Sequence, residues 1–171
     1  MNYKKINLKD ILIIVIISGL LGIVHNYFSE TGIDFIRKET KFEQANDDEL
    51  NSNHINLISS PKTVTLLQAY SLFESNAAIF LDARDKWDYA DGHITGAINI
   101  PLYNFDPASE KIINLDKNRT YIIYCNDDDC ETSQRLAMEL SKLSFKNLYV
   151  FEEGWNTWLN SKYPSEMSEL E

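Results

Sequence analysis

The sequence predicts an α/β domain, a parallel sheet flanked by helices, preceded by one transmembrane helix. Three observations carry this. From residue 61 onward short apolar runs alternate with amphipathic stretches, the pattern of strands joined by crossover helices in a sheet covered on both faces. Residues 11–29 contain no formally charged residue and open with ILIIVIISGLLGIV. The stretch between them, residues 30–60, is polar, and its run QANDDELNSN has neither helical nor strand periodicity. The chain therefore divides into a basic flank (1–10), a membrane anchor (11–29), a polar linker (30–60), a folded domain (61–165) and an acidic tail (166–171).

Each element has its own justification. Nineteen uncharged residues at about 1.5 Å each reach roughly 28 Å, close to the hydrocarbon thickness of a bilayer. Lys4, Lys5 and Lys9 precede this stretch, and the exit reads HNYFS, bulky where a signal peptidase needs small residues. An uncleaved anchor with a cytoplasmic N-terminus follows, which puts the domain on the extracytoplasmic or periplasmic side. The linker run QANDDELNSN reads as a tether. In the domain, Thr65 is a helix cap, with Leu66, Ala69, Tyr70 and Phe73 at helical spacing. Strands are expected over 78–81, 97–100, 120–124 and 147–151, and helices over 86–91, 131–143 and 155–162.

Composition limits the chemistry. With 16 Lys and Arg against 26 Asp and Glu, the formal net charge is -10, which disfavours nucleic acid because affinity for phosphate backbones comes from basic side chains. Two cysteines and three scattered histidines, His25, His54 and His93, do not make a metal site. The expectation is no metal and no cofactor.

In an open parallel sheet ligands bind beyond the carboxyl ends of the strands, at loops leading into helices. Cys125 stands at such a place, between the apolar strand 120–124 and a polar loop. Backbone N–H groups of that turn and the positive end of the next helix dipole favour a thiolate over a thiol. Cys125 is therefore the candidate nucleophile, with Asn126, Asp127, Asp128, Asp129, Glu131, Thr132 and Ser133 as its loop. Cys130, with four residues between it and Cys125, is a possible resolving thiol, since an extracytoplasmic compartment permits disulfides.

Several separated motifs line up with a known family. Residues 81–101, LDARDKWDYADGHITGAINIP, resemble the rhodanese-domain signature of Asp-x-Arg, an acidic-aromatic pair, Gly-His-Ile-x-Gly-Ala and Asn-hydrophobic-Pro. The strand YIIYC ending at Cys125 resembles the one that delivers that family's catalytic cysteine, and Gly154, Trp155 and Trp158 resemble its C-terminal Gly-Gly-x-x-x-Trp element. The resemblance covers roughly residues 63–164. It implies a sulfurtransferase or sulfur carrier that holds sulfur as a persulfide on Cys125, passing it from a sulfane-sulfur donor to a thiol acceptor. It also implies that Asp82 and Arg84 brace the loop and that His93 is a structural hydrogen-bonding residue.

Two departures from the family pattern matter. The loop is longer by about two residues if Ser133 is the family's helix-start serine, and it carries Asp127, Asp128, Asp129 and Glu131. Carboxylates around a thiolate raise its pKa and repel anions, so a persulfide or polysulfide donor is favoured over thiosulfate. The residue six after Cys125 is Glu131 rather than Arg, which removes the phosphate cradle of a Cys-x5-Arg phosphatase. The second departure is Glu153, where the family has glycine. Two other functions stay open: a thiol redox module using Cys125 and Cys130, and a non-catalytic binding module.

Overall fold

Strands buried on both faces set the centre of the molecule. The computed structural model describes residues 7–28, 42–47, 60–127 and 131–169. They fall into two units, residues 1–39 and 40–171. The larger contains five parallel strands, β1 (Lys62–Val64), β2 (Ile79–Asp82), β4 (Ile98–Asn99), β5 (Thr120–Tyr124) and β6 (Asn147–Phe151), in the order β1-β6-β5-β2-β4. The connections carry α2 (Leu66–Glu74), α3 (Lys86–Asp91), a 3-10 turn at Leu102–Asn104, α4 (Glu110–Ile113), α5 (Glu131–Lys142) and α6 (Gly154–Asn160). A small antiparallel pair joins β3 (His93–Ile94) to β7 (Ser165–Glu166).

Side chains alternate between two apolar layers because successive residues of a strand point to opposite faces. Phe80, Ile122, Tyr124 and Phe151 face one layer, with Ala69 and Leu72 of α2 and Trp155 and Trp158 of α6. Leu81, Tyr121, Ile123, Leu148 and Val150 face the other, with Ile112 of α4 and Leu136, Ala137 and Leu140 of α5. The register sets Tyr124 of β5 opposite Asp82 of β2 and Phe151 of β6. Three carboxyl ends of strands thus finish level with one another, and Cys125 follows at the middle one.

Local chemistry begins the helices. Thr65 Oγ1 accepts from the Gln68 amide (3.3 Å), while Gln68 Oε1 accepts from the Thr65 amide (3.0 Å), a reciprocal capping box. Asp85 Oδ1 accepts from the amides of Trp87 (2.8 Å) and Asp88 (3.0 Å) at the start of α3. The strands over 120–124 and 147–151 and the short helix over 86–91 coincide with expectation. The strand expected over 97–100 is only Ile98–Asn99, and β1, β3, β7 and α4 are additional.

Two parts of the chain are more integrated than their composition suggests. Residues 42–47, read from sequence as tether, lie along β1. The Ala45 amide donates to Thr63 O (2.8 Å), the Thr63 amide donates to Glu43 O (2.9 Å), and Ala45 is buried. Glu166, read as the first residue of an acidic tail, is the end of β7, and its carboxylate accepts from the Gly96 amide (2.9 Å).

The smaller unit holds α1 (Leu8–Phe28), whose large apolar side chains from Ile11 to Val24 are all exposed. Among the described residues no helix is long and apolar enough to cross a membrane.

Trp158 is fully buried, with ring contacts to Tyr70, Phe73, Phe80, Phe151 and Tyr163. Trp158→Ala is expected to cost about 3–5 kcal/mol, measured as a shift in the denaturant midpoint.

Candidate active site

The site is built at the end of β5 by what surrounds the peptide joining Cys125 to Asn126. The Trp155 amide donates to Cys125 O (2.7 Å) and the Asn156 amide to Asn126 O (2.9 Å), so the first turn of α6 uses its spare N–H groups on two successive carbonyls of the loop. Such an approach needs a residue without a side chain. A Cβ on Gly154, whose φ is +65°, would lie 2.7 Å from Cys125 O and 2.8 Å from the Asn126 carbonyl carbon and oxygen. Glu153, in the position where glycine was expected, adopts ordinary helical angles, and its Oε1 accepts from the Leu66 amide (2.9 Å) at the start of α2. Glu152 accepts from Gln134 Nε2 (3.0 Å) on α5. The two glutamates tie the turn to the helices on either side.

The other support comes from β2. Asp82 is buried and accepts from Arg84: Nη2 to Oδ2 at 2.6 Å, and Nε to both oxygens at 3.0 and 3.1 Å. The same guanidinium donates to Gly92 O (2.6 Å) and to Asn126 Oδ1 (3.2 Å). It also lies over the ring of Trp155, 5.1 Å from the centroid. Burial alone would lower the Arg84 pKa, but the hydrogen bonds and charge of Asp82 outweigh it and the pKa is raised. Burial pushes the Tyr124 phenol well up, reinforced by the charge of Asp82 and the hydrogen bond to it. Tyr124 therefore stays protonated while its oxygen accepts from the Ile94 amide (3.2 Å). Asn99 Nδ2 donates to Asp82 O and Arg84 O.

Cys125 itself is 1% exposed, although Asp127 just beyond it is exposed. The strand end is enclosed by its neighbours. Its Sγ lies 3.5 Å from Ser133 Oγ on α5 and 3.8 Å from Asp127 O. Cys125 is disulfide-bonded, so the Ser133 hydroxyl is the donor in the first contact. Asn126 is held on both sides, by Arg84 and through its Nδ2 to Asp88 Oδ2 (3.5 Å).

Of the expected site residues, the structure brings together Cys125, Asn126, Asp127, Ser133, Asp82 and Arg84. Glu131 and Thr132 start α5. His93 is apart from the sulfur. It is buried and stacked on Tyr89 (3.7 Å), with Nδ1 2.8 Å from Tyr89 O and Nε2 3.3 Å from Glu166 Oε1. Asp128, Asp129 and Cys130 lie outside the described residues. Among the described residues no group of His, Cys, Asp and Glu is placed to hold a metal ion. Sequence reasoning missed Tyr124, Asn99 and Glu153 as supports. A signal existed for Tyr124 and Asn99, since a phenol or amide within an apolar strand needs a buried partner.

Two glycines separate strain from collision. Gly96 also has positive φ (+77°) but open space around it, so Gly96→Ala should cost about 1 kcal/mol. Gly154→Ala should cost more, about 2–3 kcal/mol, and alter the rate at which reduced Cys125 is alkylated; chemical denaturation and timed alkylation check both.

Several known proteins resemble this domain. Residues 65–161 match the family described as Rhodanese-like domain. The "Thiosulfate sulfurtransferase GlpE" of Coxiella burnetii is 29% identical over 97 residues, 57% of this chain and 86% of that protein. The protein of the same name from Pseudomonas entomophila is 30% identical over 112 residues, 66% and 96% of the two chains. Among solved structures, the BH2092 protein of Bacillus halodurans superposes with a TM-score of 0.56 at 22% identity, covering 63% of this chain and 77% of that one, which bears on fold alone. The match spans more than half of the chain, from the cap of α2 to the end of α6, and the chain belongs to the rhodanese-like domain family.

Proposed function

We propose that the domain is a rhodanese-type sulfurtransferase in which Cys125 carries sulfur as a persulfide. The observation that carries this reading is the position of Cys125 at the carboxyl end of the central strand, with a hydroxyl donor 3.5 Å from its sulfur. A reduced Cys125 thiolate attacks the outer sulfur of a persulfide or polysulfide. The donor's S–S bond breaks, its inner sulfur leaves as a thiolate, and a new S–S bond forms on Cys125. An acceptor thiolate then takes the outer sulfur and Cys125 leaves as thiolate. Ser133 Oγ–H stabilises the anion at both stages. The Asp82–Arg84 pair and the α6 amides hold the loop still.

Arg84 supports the choice of donor. Among the described residues its guanidinium touches the loop at Asn126, and its donors are committed to Asp82, Gly92 O and Asn126. Together with the sequence-borne carboxylates of residues 127–131, this favours a persulfide or polysulfide over the thiosulfate dianion. Treating the reduced Cys130→Ser chain with polysulfide should add one sulfur atom by intact mass, and Cys125→Ser should add none. Addition to Cys125→Ser would end the proposal. Thiosulfate should load the chain at least about tenfold more slowly at low salt.

The disulfide-bonded state of Cys125 favours a second role for the same cysteine, with Cys130 as its resolving thiol. The Cys130 thiolate attacks the inner sulfur of the Cys125 persulfide, the Cys125–Cys130 bond forms, and the outer sulfur leaves as hydrosulfide. A dithiol reductant then restores both thiols. Under this scheme Cys130→Ser accumulates persulfide while the wild type releases hydrosulfide and returns to the oxidised mass; equal accumulation in both rules the scheme out.

The domain is membrane-anchored through residues 11–29 and extracytoplasmic in this reading, supported by the exposed aliphatic surface of α1 and by the lysines before it. A reporter active only outside the cytoplasm, fused after Glu171, should be active, and an active cytoplasmic reporter there would reverse the topology.

A further inference from the structure

Helix α3 touches the nucleophile's loop through Asp88 and exposes a large aromatic ring to solvent. Trp87 is 59% exposed, in a domain whose other two tryptophans, Trp155 and Trp158, are buried. Its neighbour Asp88 reaches the residue next to the nucleophile, Asn126, at 3.5 Å. Folding gains nothing from exposing a ring of this size to water, and exposed tryptophan is the side chain most concentrated at binding hot spots. The ring already attracts a cation, since Lys86 Nζ lies 5.0 Å from its centroid.

The charge around Trp87 selects the partner. Asp85 and Asp91 are exposed on or next to α3, Asp88 is partly exposed, and Asp127 is exposed on the loop that Asp88 touches, against one cation on the helix, Lys86. Residues 61–171 hold 18 acidic and 10 basic residues, so the local surplus of carboxylate lies within a negative surface. A small sulfur acceptor gains nothing from a ring outside the loop, whereas a protein gains apolar contact from the ring and attraction from the carboxylates.

We infer that α3, centred on Trp87, is the docking ledge for the sulfur acceptor, a positively charged protein segment that carries the accepting thiol. The inference rests on persulfide transfer from Cys125. The docked segment lays an apolar or basic side chain on the Trp87 ring, its lysines or arginines face Asp85, Asp91 and Asp127, and its thiol meets the sulfur on Cys125. The acidic loop that repels a thiosulfate dianion is the same feature that gathers such a partner.

Binding and transfer are tested separately in the full chain. A labelled lysine-rich peptide in which serine replaces cysteine should bind Cys125→Ser protein at least about tenfold tighter than a glutamate-rich peptide of equal length, with the preference falling as salt rises. Trp87→Ala should weaken the basic peptide about tenfold. In single-turnover transfer from persulfidated protein, Trp87→Ala should slow transfer to the cysteine form of the basic peptide by a similar factor and leave transfer to a small neutral thiol within about twofold. Equal binding of the two peptides, or equal slowing of peptide and small thiol, overturns the docking ledge. So does Trp87-dependent binding to anionic lipid vesicles in place of the peptide. Failure of Cys125 to load sulfur overturns the transfer chemistry instead, and the binding measurement still decides the ledge.

Discussion

The buried pair of Asp82 and Arg84 is the constraint on which the working end of the domain depends. Burying either charge alone is expensive, and a buried pair is tolerable only when its remaining donors and acceptors are also satisfied. That requirement organises the surroundings. Asp82 takes three hydrogen bonds from the Arg84 side chain and a fourth from its amide at 2.9 Å. The rest of the guanidinium reaches Gly92 O and Asn126 Oδ1. Through these contacts β2, the turn into β3 and the loop after β5 share one electrostatic unit. No buried side-chain nitrogen or oxygen among the described residues lacks a partner.

On the opposite side the loop is held by backbone, and the two modes of support complement each other. The amides of Trp155 and Asn156 fix the carbonyls of Cys125 and Asn126, while Arg84 and Asp88 fix the Asn126 side chain. Cys125 is thereby held at its own carbonyl and at the residue that follows it, with the Ser133 hydroxyl 3.5 Å from its sulfur. Covering of the sulfur and rigidity of its base have one origin: both come from placing Cys125 at the middle of a sheet whose neighbouring strands end at the same level.

The sequence made the central elements legible because their physics is local. Strands β5 and β6 are short apolar runs bounded by polar residues, and their ends agree with the periodicity. Asp85 and Thr65 cap their helices through side chains within three residues. The elements that escaped depend on distant partners. The two-residue strands β3 and β7 exist because His93 and Ile94 find Glu166 and Ser165, separations no local pattern encodes. Glu153 was readable only as a missing glycine, since its bond to Leu66 spans 87 positions. In the site, the strand-end position of Cys125 was readable, as was the Asp-x-Arg brace. The burial of Cys125 was not, because what surrounds it, Ser133 at its sulfur and Gly154 at its carbonyl, comes from other segments of the chain.

The strip formed by residues 42–47 carries a consequence for how the domain behaves among other chains. A parallel sheet that ended at β1 would present the free amide and carbonyl of Thr63 along an outer strand, a template on which a second extended chain can pair. Glu43 and Ala45 occupy those groups, and Gln68 Nε2 pins the strip by donating to Ala45 O (3.2 Å) and Asp47 Oδ1 (2.7 Å). The chain that leads into the fold is thereby its guard against edge-to-edge aggregation, and a version cut just before Pro61 would be a stickier molecule as well as a shorter one.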